Sequence, residues 1–342
     1  GWVPDINLLS EISEIGIIFL LFLLGLDLQP QSLLSALKKV TVVTFISSII
    51  FALIGYFVAY LFNYSPIECL VIGAAMMFSS TLVCIKLLPT TILHHKHVGE
   101  MITGLLLMQD FLAIFVLLVL LSSTSGQVNL TEIGVTLLTL PLLVFFAWAF
   151  VKLVLLKLIA RFDQMGEYIF LLSIGWCIGL SEASELLGLS REIGAFIAGI
   201  TIASSPISQH IALTLKPLRD FFLIMFFFSI GAGFNLKFLP EIGTAALVLA
   251  ITMLVVKPIV FRFLLEKQSE KKNLAWDIGF RLGQNSEFSL LIAYVAYKAS
   301  IISGLASHLI QATAIFTFLI SSYIVIYNFP NPIATNKKLR RD

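Results

Sequence analysis

The sequence predicts an all-α polytopic membrane protein. Three observations predict it. Hydrophobic residues make up 58% of the 342 residues and charged residues only 12%, about half the charged share of a soluble chain. Mostly apolar runs recur along the whole length, each with the roughly 18 residues a helix needs to cross a ~30 Å hydrocarbon core. Lys and Arg gather in alternate loops, as they do where a chain crosses a bilayer repeatedly. A mean hydropathy of +0.99 excludes a water-soluble globular domain.

About eleven spans follow in order, near 7–28, 35–62, 67–89, 99–123, 132–158, 166–187, 189–205, 210–236, 241–265, 273–298 and 305–328. Lys38 and Lys39 mark the loop after the first span, whereas "NYSP" after the second has no Lys or Arg. "FSSTLV" interrupts the third span, and Lys96 follows it. The fourth holds Gln109 and Asp110 and leads into "SSTSGQVNLTE", again without Lys or Arg. Lys157 and Arg161 close the fifth, and Arg191 lies at the start of the seventh. Lys216 and Arg219 open the eighth, and Lys237 follows it. The ninth carries Lys257, Pro258 and Arg262 and runs into Lys267, Lys271 and Lys272. "GQNSEF" interrupts the tenth, which ends at Lys298. The eleventh leads to a polar tail with Lys337, Lys338, Arg340 and Arg341. The richly basic side is cytoplasmic by the positive-inside rule. The domain expected is one transmembrane body over 1–330 and a basic cytoplasmic tail over 331–342. The chain opens on a loop-like segment on the outer side without an initiator Met or signal peptide, so helices are expected to precede it.

Depth singles out the functional candidates. A helix rises about 1.5 Å per residue, so ten residues reach the bilayer centre. Asp110 lies about ten residues into its span, Ser79, Ser80 and Thr81 about a dozen into theirs, and Gly283, Gln284, Asn285, Ser286 and Glu287 about ten to fourteen into theirs. Three polar interruptions in three spans share one depth. An ionised carboxylate there costs at least ~2.5 kcal/mol on insertion scales. It must face water, find a partner or hold a proton, and a group of this kind exchanges a proton for a metal cation. The Ser-rich and Gly-rich runs read as helix breaks, which are tolerated at depth where they line a cavity and which free carbonyls for a cation. Two such breaks in different parts of the chain point to an inverted-repeat transporter with a site at the midplane.

Other buried charges support this site. Lys257 is placed to reach Asp110 or its surroundings as an ion-pair partner, or to snorkel, the reading favoured for Arg262. Pro258 is expected to bend its helix. Arg281 is expected to pair with Glu287 or another acid. Glu192 belongs near the outer mouth, and Gly194, Ala195, Ala198 and Gly199 beside it allow close helix contact. The run "HHKH" at His94–His97 reads as a solvated loop, and Asn129 in "NLT" is a weak acceptor pattern. Cys69, Cys84 and Cys177 lie in apolar runs without metal or disulfide spacing. No cofactor is implied.

The residues resemble the membrane domain of Kef-type monovalent cation:proton antiporters of the second class. The likeness rests on "EIGIIFLLFLLGLDLQPQSL" (Glu14–Leu33), "SSTLV" (Ser79–Val83), "LLMQDFLAI" (Leu106–Ile114), "GAFIAG" (Gly194–Gly199), "FFFSIGAGFNL" (Phe226–Leu236) and "GQNSEFSLLI" (Gly283–Ile292), which fall in the family's order over nearly the whole chain. The resemblance implies a thirteen-helix inverted-repeat fold, of which about eleven helices are visible here, with two crossed discontinuous helices and a homodimer. It implies that Asp110 binds cation and proton, with Gln109 as the neighbour found in potassium-type members and Lys257 as the embedded lysine. A lone acid in the pair implies one cation exchanged per proton. The family's cytoplasmic nucleotide-binding regulatory domain has no counterpart fingerprint in these residues.

The function expected is therefore potassium/proton exchange by alternating access across the bacterial inner membrane. Asp110 is the metal (K+ or Na+) and proton site, completed by Gln109, Ser79, Ser80 and Thr81, and supported by Lys257, Glu287, Arg281, Gln284 and Asn285. Sodium/proton exchange on the same scaffold and a ligand-gated potassium channel are the alternatives. An intramembrane aspartyl protease would need two facing acids at depth, and Asp27 and Asp277 lie near span ends.

Overall fold

The computed structural model describes residues 6–27, 30–88, 97–122, 130–161, 166–187, 189–203, 205 and 207–331. His94, His95, Asn129 and the tail from 332 onward lie outside the described residues, as does the side chain of His97.

The described chain is helical, in line with the all-α reading. The helices are α1 (Ile6–Asp27), α2 (Pro30–Leu61), α3 (Pro66–Met76), α4 (Thr81–Lys86), α5 (His97–Ser122), α6 (Leu130–Phe150), α7 (Leu156–Arg161), α8 (Gly166–Leu186), α9 (Arg191–Ala203), α10 (Ser208–Gly233), α11 (Leu239–Lys267), α12 (Lys272–Arg281), α13 (Glu287–Lys298) and α14 (Gly304–Asn328). Six stretches among the described residues are long and apolar enough to cross a membrane on their own: Val40–Leu61, Met101–Leu120, Pro141–Ile159, Glu167–Leu186, Leu236–Lys267 and Gly304–Asn328. The third and tenth predicted spans do not qualify alone, for a physical reason. Each is split into halves of 11 and 6 residues or 10 and 12 residues, and a half-helix of 12 residues rises only ~18 Å.

A π-helical turn, Val151–Leu155, joins α6 to α7, and no composition signal announces it. α11 runs unbroken through Pro258, where Gly279 of α12 lies so close that a Cβ there would meet Pro258 O at 2.8 Å.

The helices gather into two compact units. The first comprises α1 and α6–α10. Within it α1 packs on α9 and α10. Phe19 stacks on Phe222 with ring centres 5.1 Å apart, and Gly25 meets Gly199 backbone to backbone. Gly194 lies directly on Leu180 and Ser181 of α8, and the Trp176 indole donates to Ala198 O at 3.2 Å. The small residues of "GAFIAG" thus provide the close contact expected of them. The second unit runs from Leu33 through α5 and from Asn235 onward. α11 packs on α12 and α14, and α3 on α13. Large apolar side chains such as Leu53, Phe57, Phe263 and Leu319 are exposed, as suits helices that meet lipid.

The packing of the first unit predicts a contrast between two glycines. A Cβ on Gly199 would overlap Phe22 O and come within 2.9 Å of Gly25 Cα, whereas Gly175 has nothing within 4 Å of that position. Gly199→Val should cost at least ~1–3 kcal/mol through overpacking, and Gly175→Ala should be neutral or slightly stabilising. Thermal unfolding in detergent measures both. Equal midpoints for the two variants would show that the α1–α9 contact does not constrain the fold.

Candidate functional site

Within the second unit, each discontinuous helix breaks where the sequence places weak helix formers. The first break covers Met77–Ser80 and the second Leu282–Ser286. Hydroxyls restart the helices. Ser80 Oγ accepts from Val83 N–H at 3.1 Å at the start of α4, and Ser286 Oγ accepts from Phe288 N–H at 3.1 Å at the start of α13. Such caps satisfy the first backbone donors of a helix.

The breaks run antiparallel and meet. Ser289 of α13 donates to Ala75 O of α3, and Ser303 N–H, beyond α13, reaches Glu68 at the start of α3 at 3.0 Å. At the middle, Ser79 Oγ donates to Leu282 O at 2.8 Å, Gln284 Nε2 to Ser80 O at 3.4 Å, and Asn285 Nδ2 contacts Met76 Sδ at 3.1 Å.

Lys257 joins them. Its side chain is 0% exposed. Nζ donates to Phe78 O at 2.6 Å in the first break and to Gln284 O at 3.1 Å and Asn285 Oδ1 at 3.0 Å in the second. Three acceptors use all three donors of an ammonium. The expected ion pair with Asp110 is therefore replaced by bonds to the breaks, and snorkelling does not occur. Arg262, partly exposed, bonds Glu266 at 2.8 Å, one turn nearer the helix end.

The Gln109–Asp110 pair of α5 lies against the first break. Gln109 is fully buried. Its Oε1 accepts from Ser79 N–H at 3.1 Å, and its Nε2 approaches Met77 O at 3.5 Å. Asp110 is 6% exposed, and Thr81 Oγ1 donates to it, 3.2 Å from Oδ2 and 3.4 Å from Oδ1. Ser79, Ser80, Thr81, Gln109 and Asp110 are thus brought together, with Lys257, Gln284 and Asn285 beside them. Of the acids open to it, Arg281 pairs with Asp277 at 2.7 Å. Glu287 is buried at the first turn of α13. In the other unit, Glu192 is half-buried.

Two contributors escaped the sequence reading. Thr317 Oγ1 accepts from Asn285 N–H at 3.1 Å, and Ser321 Oγ donates to Gln284 Oε1 at 2.9 Å. Thr313, Thr317 and Ser321 recur every four residues in an apolar helix, a one-faced polar stripe that would have marked them.

The arrangement provides a buried carboxylate, a hydroxyl on it and unwound backbone alongside, all oxygen-bearing groups suited to a hard monovalent cation or a proton. The description "sodium/hydrogen exchanger, transmembrane" belongs to the family model that matches residues 1–326. The chain is 26% identical over 322 residues to K(+) efflux antiporter 5 of Arabidopsis thaliana, covering 89% of this chain and 55% of that protein. It is 27% identical over 334 residues to the putative cation/proton antiporter YbaL of Escherichia coli, covering 94% of this chain and 60% of that protein. It is 25% identical over 335 residues to a Na(+)/H(+) antiporter of Enterococcus hirae, covering 96% of this chain and 86% of that protein. The chain therefore spans little more than half the length of the first two.

The bonds of Lys257 predict its weight in the fold. Lys257→Met keeps the stem and removes three donors, leaving buried acceptors unpaired at ~1–3 kcal/mol each. The unfolding midpoint should fall by several degrees or more. An unchanged midpoint would mean that the breaks hold without this tie.

Proposed function

The chain belongs to the sodium/hydrogen exchanger transmembrane family, and on that premise we propose that it exchanges potassium for protons across the membrane by alternating access at Asp110. Its membership and its apolar helices make it an integral multi-pass membrane protein of a transporter family rather than an enzyme family. The observation that carries the proposal is the meeting of two helix breaks beside one buried carboxylate, with the Thr81 hydroxyl on its oxygens.

In this reading Asp110 and Thr81 take the cation. Ser79, Ser80 and Gln109 hold the break backbone around them, and Lys257, Gln284 and Asn285 hold the second break against the first. Cation and proton compete because each neutralises the same anion. A neutral site crosses between states, while a bare carboxylate in a low-dielectric interior resists doing so. That rule couples the two flows. One acid carrying one cation or one proton makes the exchange electroneutral. The basic loops face the cytoplasm, and the working form is a homodimer. Gln109, the residue of potassium-type relatives, favours potassium. The similarity to a protein named as a Na(+)/H(+) antiporter supports sodium as the second reading.

The test is the full-length chain in sealed liposomes with a lumenal pH dye and a pH gradient, with potassium or sodium added in turn. Potassium should drive proton movement, and Asp110→Asn should abolish it without loss of folding. Sodium-driven movement alone would replace potassium with sodium. Passive cation flux without proton movement would mean a channel.

Competition gives a further expectation. In the range where Asp110 is mostly protonated, the apparent KM for the cation should rise about tenfold for each unit of pH decrease, with little change in the maximal rate. A KM independent of pH would overturn binding at one shared group.

A further inference from the structure

Arg281 ends α12 immediately before the second break, and the residue is 1% exposed. A guanidinium presents five donors in a rigid plane. Nε donates to Asp277 Oδ1 at 2.7 Å, one turn back. Nη1 donates to Leu87 O at 3.0 Å, just beyond α4. Nη2 donates to Pro330 O at 2.8 Å, just beyond α14. One side chain thus grips three separated segments of the second unit.

The segment Phe329–Asn331 is itself seated as a strap. Phe329 N–H closes on Val325 O at 3.0 Å. The Phe329 ring lies 5.5 Å from that of Phe280. Asn331 is fully buried and donates to Ile326 O at 3.1 Å and Phe329 O at 2.9 Å. A helix end needs only a cap for its last carbonyls. This one is also fastened to the residue that opens the second break.

From Arg281 the connection continues inward. Leu282, its neighbour, accepts from Ser79 Oγ, and Ser79 N–H donates to Gln109 beside Asp110. Three hydrogen bonds and the short lengths of chain between them lead from Pro330 to the Gln109–Asp110 pair.

We propose that Arg281 and the strap Phe329–Asn331 form a positioning device that sets the cation affinity of the Asp110 site from just beyond the last helix. The proposal rests on the exchange reading above. Arg281 is a positioning residue: it touches no cargo, and it holds α4 and the second break in the places that Ser79 and Gln109 depend on. Linkage makes the effect reciprocal. If the seat of the strap alters cation affinity, cation binding must alter the seat of the strap.

Trp276 is a natural reporter, because it stacks on Phe280 at 5.3 Å and Phe280 contacts Phe329. The full chain retaining Trp276, with Trp2, Trp148 and Trp176 replaced by Phe, is titrated with potassium and with sodium while Trp276 emission is followed. A saturable change that is lost in Asp110→Asn is expected. This arm needs no strap variant, so folding failure of such a variant does not affect it. Arg281→Lys keeps the charge but not the fork, and Asn331→Ala loosens the strap. Each should weaken the apparent cation affinity about tenfold, and the double variant no further, because both cut one connection.

Flat Trp276 emission in a protein whose liposome exchange proves that cation binds would overturn the proposal, as would additive losses in the double variant. A Trp276 response in a protein that exchanges no cation would keep the strap coupling and sink the exchange reading instead.

Discussion

The ammonium of Lys257 is the contact on which the site depends. Unwinding a helix at membrane depth strands backbone groups where no water can reach them, at several kcal/mol each if unpaired. Here each break supplies partners for the other. Leu282 O is met by Ser79, Ser80 O by Gln284, and Phe78 O and Gln284 O by the same Lys257 nitrogen. The breaks are thus mutually conditional. Lys257 comes from α11, outside both interrupted helices, so it converts a pairing into a three-way support. Its charge is met by backbone and amide dipoles, which orders the breaks without requiring a carboxylate beside it.

Depth was legible in the sequence because a helix converts residue count into distance. Counting from the loops puts Asp110, the Ser79–Thr81 run and the Gly283–Glu287 run at one level, and the structure brings the first two together and sets the second run against them. Direction around the helix axis was much less legible. Lys257 was expected at Asp110 or its surroundings, or snorkelling, and Arg281 at Glu287 or another acid. The structure turns Lys257 toward carbonyls that only a broken helix exposes, and among the acids open to Arg281 it pairs with Asp277, one turn away. No count of residues reveals a freed carbonyl on another segment 179 positions distant. The strap was illegible for the same reason, since its acceptor is the carbonyl of Pro330 rather than a side chain.

Thr317 and Ser321 show a subtler gap. Single hydroxyls in an apolar helix read as packing residues, and most of those here serve their own helix, as Thr313 does by bonding Leu309 O. What separates Thr317 and Ser321 is the level they occupy along that face, beside Asn285 and Gln284. The π-helical turn at Val151–Leu155 had no signal at all, because it changes the register of hydrogen bonds rather than the residue types that form them.

Gln109 carries the reasoning into selectivity. An amide side chain beside a carboxylate invites the role of a direct ligand, yet both ends of this one engage the first break, Oε1 at Ser79 N–H and Nε2 toward Met77 O. Its length is then what matters. An Asn in its place would be shorter by one carbon, ~1.5 Å, and could not hold the same backbone without drawing it toward α5. That movement would carry Ser80 and Thr81 with it, and Thr81 bears the hydroxyl on Asp110. In the exchange proposed above, the residue beside the acid would therefore set the size of the site through the backbone it grips. Among monovalent cations of equal charge, size is the property left to discriminate.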